Sequence, residues 1–501
     1  MRSATAAGTE PAPHLAREMG LAGLTATGVC SMVGAGINVI PFMIQRNVPG
    51  IGPFVLEAFA FAALPAVLAA IAYAILASAM PRAGGSYVYV SRGLNPYLGF
   101  VASFSQWFAL SIAIGVVSYV FVPFVRDIAV ALGWRALAQA LDSGWLRLAL
   151  SLALLWSAAG VNMLGVAIYE RLMVPLMYLT FILAGVVIVA GFAFNHADFA
   201  AAALARDGRA IELGAAAPLG AWTFLSASAV LFASFIGFDS IAQAGGEAKN
   251  PGRNLPLAIA LAVGSVGVLY MLFTAAVYHA VPWQYVADEA QRRDLTAPGL
   301  LGYLLPPIWT VVIVSAAAVA LAKDLPAMLL AVSRLMFAWA GDGIFPQAIA
   351  SVHPKYRTPH IAIIASAAMA TLGIFGSHLA GDFFLGVDIL VSSMLVNFLL
   401  MAAAVVAVPR RNPALARSIT VVPDVRVRNA IAASGVAVLA GFLAVHTWKD
   451  LTGPAAAWYF RSTPVWAIVM ALGSLLYLIE TRALQRAGID LRARFAELPP
   501  Q

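Results

Sequence analysis

Met32-Val33-Gly34-Ala35-Gly36-Ile37 interrupts an apolar run about fifteen residues after its start near residue 20, and Ser234-Phe235-Ile236-Gly237-Phe238-Asp239 interrupts a second run at a similar depth. Glycine lowers helix propensity and permits backbone conformations that other residues avoid. Both runs are therefore expected to break partway through a helix. A break inside lipid exposes N–H and C=O groups that hydrocarbon cannot satisfy. Amides at the restarted N-terminus attract a carboxylate, and freed carbonyls attract an ammonium or a metal cation. A zwitterionic amino acid matches both ends. One Gly-x-Gly alone is better explained by close helix packing; the same interruption at matching depth in two runs favours a built binding site.

The rest of the chain supplies the membrane. Of 501 residues, 62% are hydrophobic and 11% charged, with mean hydropathy +0.87, whereas soluble domains are about half apolar and about a quarter charged. A water-soluble globular protein is excluded. Apolar runs fall near 20–46, 53–79, 97–132, 145–163, 170–194, 221–245, 256–281, 307–340, 359–378, 382–408, 427–447 and 463–480. They predict an all-α integral membrane protein of twelve spans, each near the ~20 residues that cross a bilayer core. Nineteen Lys and Arg fall in the tails and loops of one side and ten on the other, with Lys323 inside a span. The positive-inside rule then places both termini in the cytoplasm and the chain in the cytoplasmic membrane. The net charge of +7 is read through this loop bias and not as a nucleic-acid signal. Residues 1–19 are polar and carry Pro11 and Pro13, so no cleavable signal peptide is expected. The single cysteine, Cys30, excludes an intrachain disulfide or a Cys-rich metal site.

The first five runs and the next five are offset by 201 to 214 residues. Five is odd, so a second repeat of five helices enters the membrane from the opposite side, the arrangement of secondary transporters with substrate at the repeat interface. Evenly spaced helices give similar offsets by chance, and that alternative stays open. The expected division is a tail at 1–19, repeats at 20–194 and 221–408 joined by an extracellular loop at 195–220, two further spans with their preceding loop at 409–480, and a tail at 481–501.

Several colinear motifs carry a family resemblance. Met32-Val33-Gly34-Ala35-Gly36-Ile37 resembles the first-helix signature of amino acid, polyamine and organocation superfamily permeases. Pro81-Arg82-Ala83-Gly84-Gly85-Ser86-Tyr87 with Asn95-Pro96-Tyr97-Leu98-Gly99-Phe100 is similar to their loop after helix 2. Ile236-Gly237-Phe238-Asp239, with Gly246-Glu247-Ala248-Lys249-Asn250-Pro251-Gly252-Arg253-Asn254-Leu255-Pro256, resembles helix 6 and its following loop. Ser333-Arg334 and Gly341-Asp342-Gly343-Ile344-Phe345-Pro346 resemble the end of helix 8. The resemblance covers about residues 20–410 and implies a five-plus-five inverted repeat with broken helices 1 and 6. Three positions depart from it. Asn38 stands where members commonly carry Phe, Ala233 where many place a bulky aromatic over the substrate, and Thr180 where some carry a helix 5 lysine.

The candidate substrate-binding residues are Val33, Gly34, Ala35, Gly36 and Ile37 in the first break, Ala233, Phe235, Ile236, Gly237 and Phe238 in the second, and Ser111 in the third span. Lys323 and Asp324 are adjacent opposite charges deep in the eighth span, where a charge costs roughly 3 kcal/mol. Asp324 matches a position that the resemblance implies lines a cation site in sodium-coupled relatives. With Thr180 in place of lysine, that cation is sodium, a proton on Asp324, or the Lys323 ammonium; Asp324 is expected to carry the coupling charge and Lys323 to modulate it. A purely structural pair is the alternative. Arg82, Arg92, Glu247, Lys249, Arg253, Arg334 and Asp342 read equally as an inner gate or as lipid headgroup contacts. Glu57 and Asp239 are ionisable near span ends, Ser392 and Ser393 are candidates facing the site, and Trp107, Trp222, Trp309 and Trp466 read as interfacial anchors.

No Walker loop, HExxH, Gly-x-Ser-x-Gly or metal-spaced His/Cys cluster is present, so no enzyme, cofactor or metal centre is expected. The leading expectation is a secondary active transporter of an amino acid or related amine working in the lipid bilayer, coupled to a proton or sodium. A cation-conducting relative and a transporter-like nutrient sensor are the alternatives. The scarcity of acidic residues around the two breaks argues against a strongly cationic substrate such as a polyamine. Substrate identity, exchange versus symport and oligomeric state are not legible.

Overall fold

The computed structural model describes residues 15–141, 144–208, 210–211, 214–380, 383–453 and 457–499; residues 1–14 of the expected N-terminal tail lie outside them. Among the described residues there is no strand, only the isolated bridges Met19–Ala248 and Ala83–Ala244. Among the described residues, eleven helices are long and apolar enough to cross a membrane, and Leu21–Met32 is a shorter apolar helix that precedes them.

The run expected as span 1 consists of Leu21–Met32, a single turn at Ala35–Asn38, and Ile40–Asn47. Span 2 is Val55–Ala79, span 3 Pro96–Ala131, span 4 Gly144–Met163 and span 5 Val166–Ala193. Span 6 is helical over Ala221–Leu231, tightens to a 3-10 turn over Phe232–Phe235, and restarts only as Ser240–Gln243. Spans 7 to 12 are Pro251–Ala280, Pro307–Gly341, His360–Ala380, Phe383–Arg411, Val425–Thr452 and Ser462–Arg486.

Local chemistry sets the ends. Asn95 Oδ1 accepts from the Tyr97 and Leu98 amides, with Pro96 at the first helical position, and so starts span 3, the capping and proline usage expected at an N-terminus. Gly165 (φ +113) turns the chain between spans 4 and 5. In span 8, Pro326 lacks the N–H that would bond residue 322, which weakens the helix beside Lys323 and Asp324. The segment expected as a loop at 195–220 contains the helix His196–Asp207, closed by a capping box in which the Asn195 and Asp198 side chains each bond the other's backbone N–H. The Asn-x-x-Asp spacing that signals it was within reach of the sequence.

Spans 3, 8 and 10 form the centre, since span 3 packs along both spans 8 and 10. Spans 11 and 12 lie at the periphery, with large apolar side chains such as Trp448, Leu472 and Leu475 exposed, as lipid-facing helices require.

Candidate functional site

The two breaks pack against each other. Gly237 adopts φ +134, a backbone region open chiefly to glycine, and a Cβ there would overlap the Ser31 carbonyl. A Cβ on Gly36 would lie 3.0 Å from Ser234 Cα. Across the same seam, Ser234 Oγ donates to Gly36 O at 2.9 Å and the Ser31 and Ser240 hydroxyls bond at 3.0 Å. These glycines therefore bring two unwound segments into backbone contact.

Most carbonyls freed by the first break have partners within the protein. Lys323, 1% exposed, donates its Nζ to Val33 O at 2.7 Å and to Cys30 O at 3.3 Å. Tyr270 donates to Met32 O at 2.5 Å, Asn38 to Gly34 O at 3.0 Å, and Ser234 to Gly36 O. An ammonium at the C-terminal end of Leu21–Met32 also faces the negative end of the helix dipole.

Asp324 points the other way. It lines a cavity of about 70 Å³ together with Ser31, Gly36, Ala233 and Ile236, and a Cβ on Gly34 would overlap its Oδ2. The remaining wall is largely apolar, from residues such as Met32, Leu110 and Val117. Of the residues expected to bind substrate, Gly36, Ala233 and Ile236 line this cavity. Val33 and Ile37 instead face a crevice of about 20 Å³ that they share with Thr180, whose hydroxyl bonds Leu176 O of its own helix. Phe235 packs on Phe59 and Tyr270, and Phe238 on Tyr73 and Phe398. Ser111 is fully buried, and among the described residues its hydroxyl has no partner. The side chain of Ala35 lies outside the described atoms.

Sequence reasoning undervalued Asp239, which is fully buried. Its carboxylate accepts from Gln106 Nε2 and from the Gly237 amide. Gln106 in turn accepts from Gln243 and Asn397, and Tyr73 and Ser86 complete the network. Asp239 seemed near a span end because the second half of span 6 is only one turn long. Glu57, the other ionisable candidate, is exposed.

Toward the termini the molecule is closed. Arg92 holds Asp342 through two bonds of 2.6 and 2.8 Å, and Arg334 holds Glu247 through bonds of 3.0 and 2.5 Å, all four side chains being buried. Burial alone would lower the Arg92 pKa; the hydrogen-bonded Asp342 carboxylate reverses this and holds it above its ordinary value. The C-terminal segment covers the same region: Arg92 Nε donates to Glu497 O and its guanidinium sits 4.9 Å from the Phe495 ring, while Arg82 reaches Pro499 O. These contacts exclude the headgroup reading for Arg92, Arg334, Glu247 and Asp342. Trp107, expected as an interfacial anchor, packs inside on Phe104 and Trp339, and Trp466 donates to Ser105; Trp222 and Trp309 are exposed.

At the opposite end, a cavity of about 480 Å³ lies among Arg46, Arg126, Arg147, Arg206 and Arg293. It adjoins one of about 410 Å³, and Val116 lines both this second cavity and the small one holding Asp324. The arginines are organised locally: Arg46 pairs with Asp294, Arg126 with Asp127, and Arg147 lies over Tyr119.

Comparison with known proteins agrees with this geometry. The chain is 26% identical over 425 residues to the branched-chain amino acid permease BcaP of Bacillus subtilis, covering 82% of this chain and 85% of that one. It is 25% identical over 506 residues to the methylthioribose transporter of Bacillus subtilis, covering 93% and 94%. To cationic amino acid transporter 4 of Homo sapiens it is 27% identical over 369 residues, covering 67% of this chain and 51% of the human protein, so it spans about half the length of that relative. The family profile described as amino acid permease matches residues 19–473, nearly the whole described fold, and with it the chain belongs to the amino acid permease family, as a multi-pass membrane protein.

Proposed function

We propose that this permease is a secondary active transporter that moves an amino acid or a related amine across the cytoplasmic membrane by alternating access, with both termini in the cytoplasm. The observation that carries this reading is the cavity between the interlocked breaks, closed toward the termini by two buried ion pairs and adjoining open cavities on the other side. The inverted repeats at 20–194 and 221–408 would rock about this point, since transporters of this type bind at the repeat interface. Two of the relatives are named for branched-chain and cationic amino acids and support a small solute carrying an ammonium; the third is named for methylthioribose, which has no amine.

Coupling is proposed to rest on the Lys323–Asp324 pair, with the Lys323 ammonium in the place of a bound cation rather than only modulating Asp324. The Lys323 ammonium sits on the carbonyls where a bound metal cation would otherwise be needed, so sodium has no vacant ligand set there; Thr180 is spent on its own helix. The same occupied carbonyls disfavour a cation-conducting role. A proton is then the coupling ion, or transport is exchange. Uptake of radiolabelled amino acids and amines into liposomes containing the purified protein tests this. Accumulation above empty liposomes that is independent of sodium is expected; no uptake across the panel overturns the transport reading, and strict sodium dependence overturns the coupling.

A further inference from the structure

We propose that Asp324 is the group that takes the substrate's ammonium, which makes the substrate class small solutes with one compact, protonated amine. This rests on the small cavity being the solute site, and it departs from the expectation that freed backbone carbonyls do the work. On the first break those acceptors already have donors: Cys30 O and Val33 O from Lys323, Met32 O from Tyr270, Gly34 O from Asn38, Gly36 O from Ser234. Of the side chains that line the cavity, Asp324 is the acidic one.

Its surroundings point to a ligand. Asp324 is 5% exposed, its Oδ1 has no hydrogen-bond partner, and no ion pair neutralises it among the described residues. Lys323, its neighbour in sequence, projects to the other side of the break, as residues about 100° apart on a helix do. Among the described residues, no Lys, Arg or His lines the cavity. A buried carboxylate without a partner is strongly disfavoured, and Gly34 leaves free the space its Oδ2 occupies. A primary ammonium entering the cavity supplies the missing charge and donors.

The walls limit the remainder of the solute. The volume of about 70 Å³ is roughly half that of an engineered cavity of about 150 Å³ that holds benzene. With a largely apolar lining and no second carboxylate, a second ammonium on a longer chain would meet no countercharge, which disfavours linear diamines relative to small amino acids and monoamines.

Titration calorimetry of the full-length protein in detergent with L-alanine, ethylamine and propionate tests the assignment. The first two carry the ammonium and propionate lacks it. Wild-type protein is expected to prefer L-alanine and ethylamine over propionate by about 100-fold, and Asp324→Asn to lose about 100-fold in affinity for both amines with propionate not weakened. Asp324→Glu, which keeps the charge, should retain the preference for the amine. Wild-type protein that binds propionate as tightly as L-alanine overturns the assignment without recourse to any variant, as does an Asp324→Asn protein that keeps the preference. Transport of solutes with no amine would overturn this inference and leave the transport reading standing; absence of both binding and uptake for every solute would overturn the two together.

Discussion

Gly34 shows what a single residue contributes to this site. Its missing side chain leaves room for Asp324 Oδ2 against the first break. Gly34→Ala should therefore abolish uptake while the fold persists, because the added methyl displaces only the carboxylate. Measuring uptake with the melting temperature checks this; unchanged uptake would mean that the carboxylate has no role in transport. Lys323 offers a second test at this scale. Lys323→Ala would leave Cys30 O and Val33 O without their donor, costing about 1–3 kcal/mol for each buried group left unpaired. Sodium should then raise the melting temperature of Lys323→Ala and not of the wild type. The glycines and the charge pair were legible in the sequence, since glycine inside an apolar run and charge inside a span are both conspicuous. The direction of each side chain was not, because it depends on which carbonyls the break frees and which neighbouring helix reaches them first.

Each break is held as an element by partners from other spans. In span 6 the chain leaves helical geometry at Ile236 and recovers only one turn at Ser240–Gln243, so the Asp239 and Gln243 side chains depend on Gln106 and Ser86 for hydrogen bonds, and Gln106 is held in turn by Asn397. Gln106→Leu should destabilise the protein by about 3 kcal/mol, since it strips donors and acceptors from several buried groups at once. A small shift in the melting temperature would show that the network is not structural. Gly237→Ala should be worse than Gly36→Ala, because it adds unfavourable backbone geometry at φ +134 to the overlap with Ser31; comparing the two melting temperatures checks the order. Hydropathy located these spans to within a few residues, as burial in lipid demands long apolar runs. It could not locate the polar network, whose members are scattered over five elements and meet only after packing.

The whole molecule is asymmetric across the membrane: buried ion pairs and the C-terminal segment close one face, and arginine-lined cavities open the other. Removing one partner of such a pair strands a buried charge, at a cost of about 3–5 kcal/mol. Arg334→Ala should thus lower stability and expose the interior to reagents added from the side of the termini, and the double exchange Arg334→Glu with Glu247→Arg should recover part of both. The motifs around these residues were visible in the sequence, but charge alone left a gate and a headgroup contact equally plausible; only burial separates them. The central claim is that the cavity between the breaks holds the transported solute. Its most direct test places a cysteine in that cavity, Ala233→Cys with Cys30→Ser, and follows its modification by methyl methanethiosulfonate. Saturating L-alanine, or whichever solute is taken up best by the wild type, should slow modification about tenfold or more, whereas an unchanged rate at saturation would place the solute elsewhere and contradict the account.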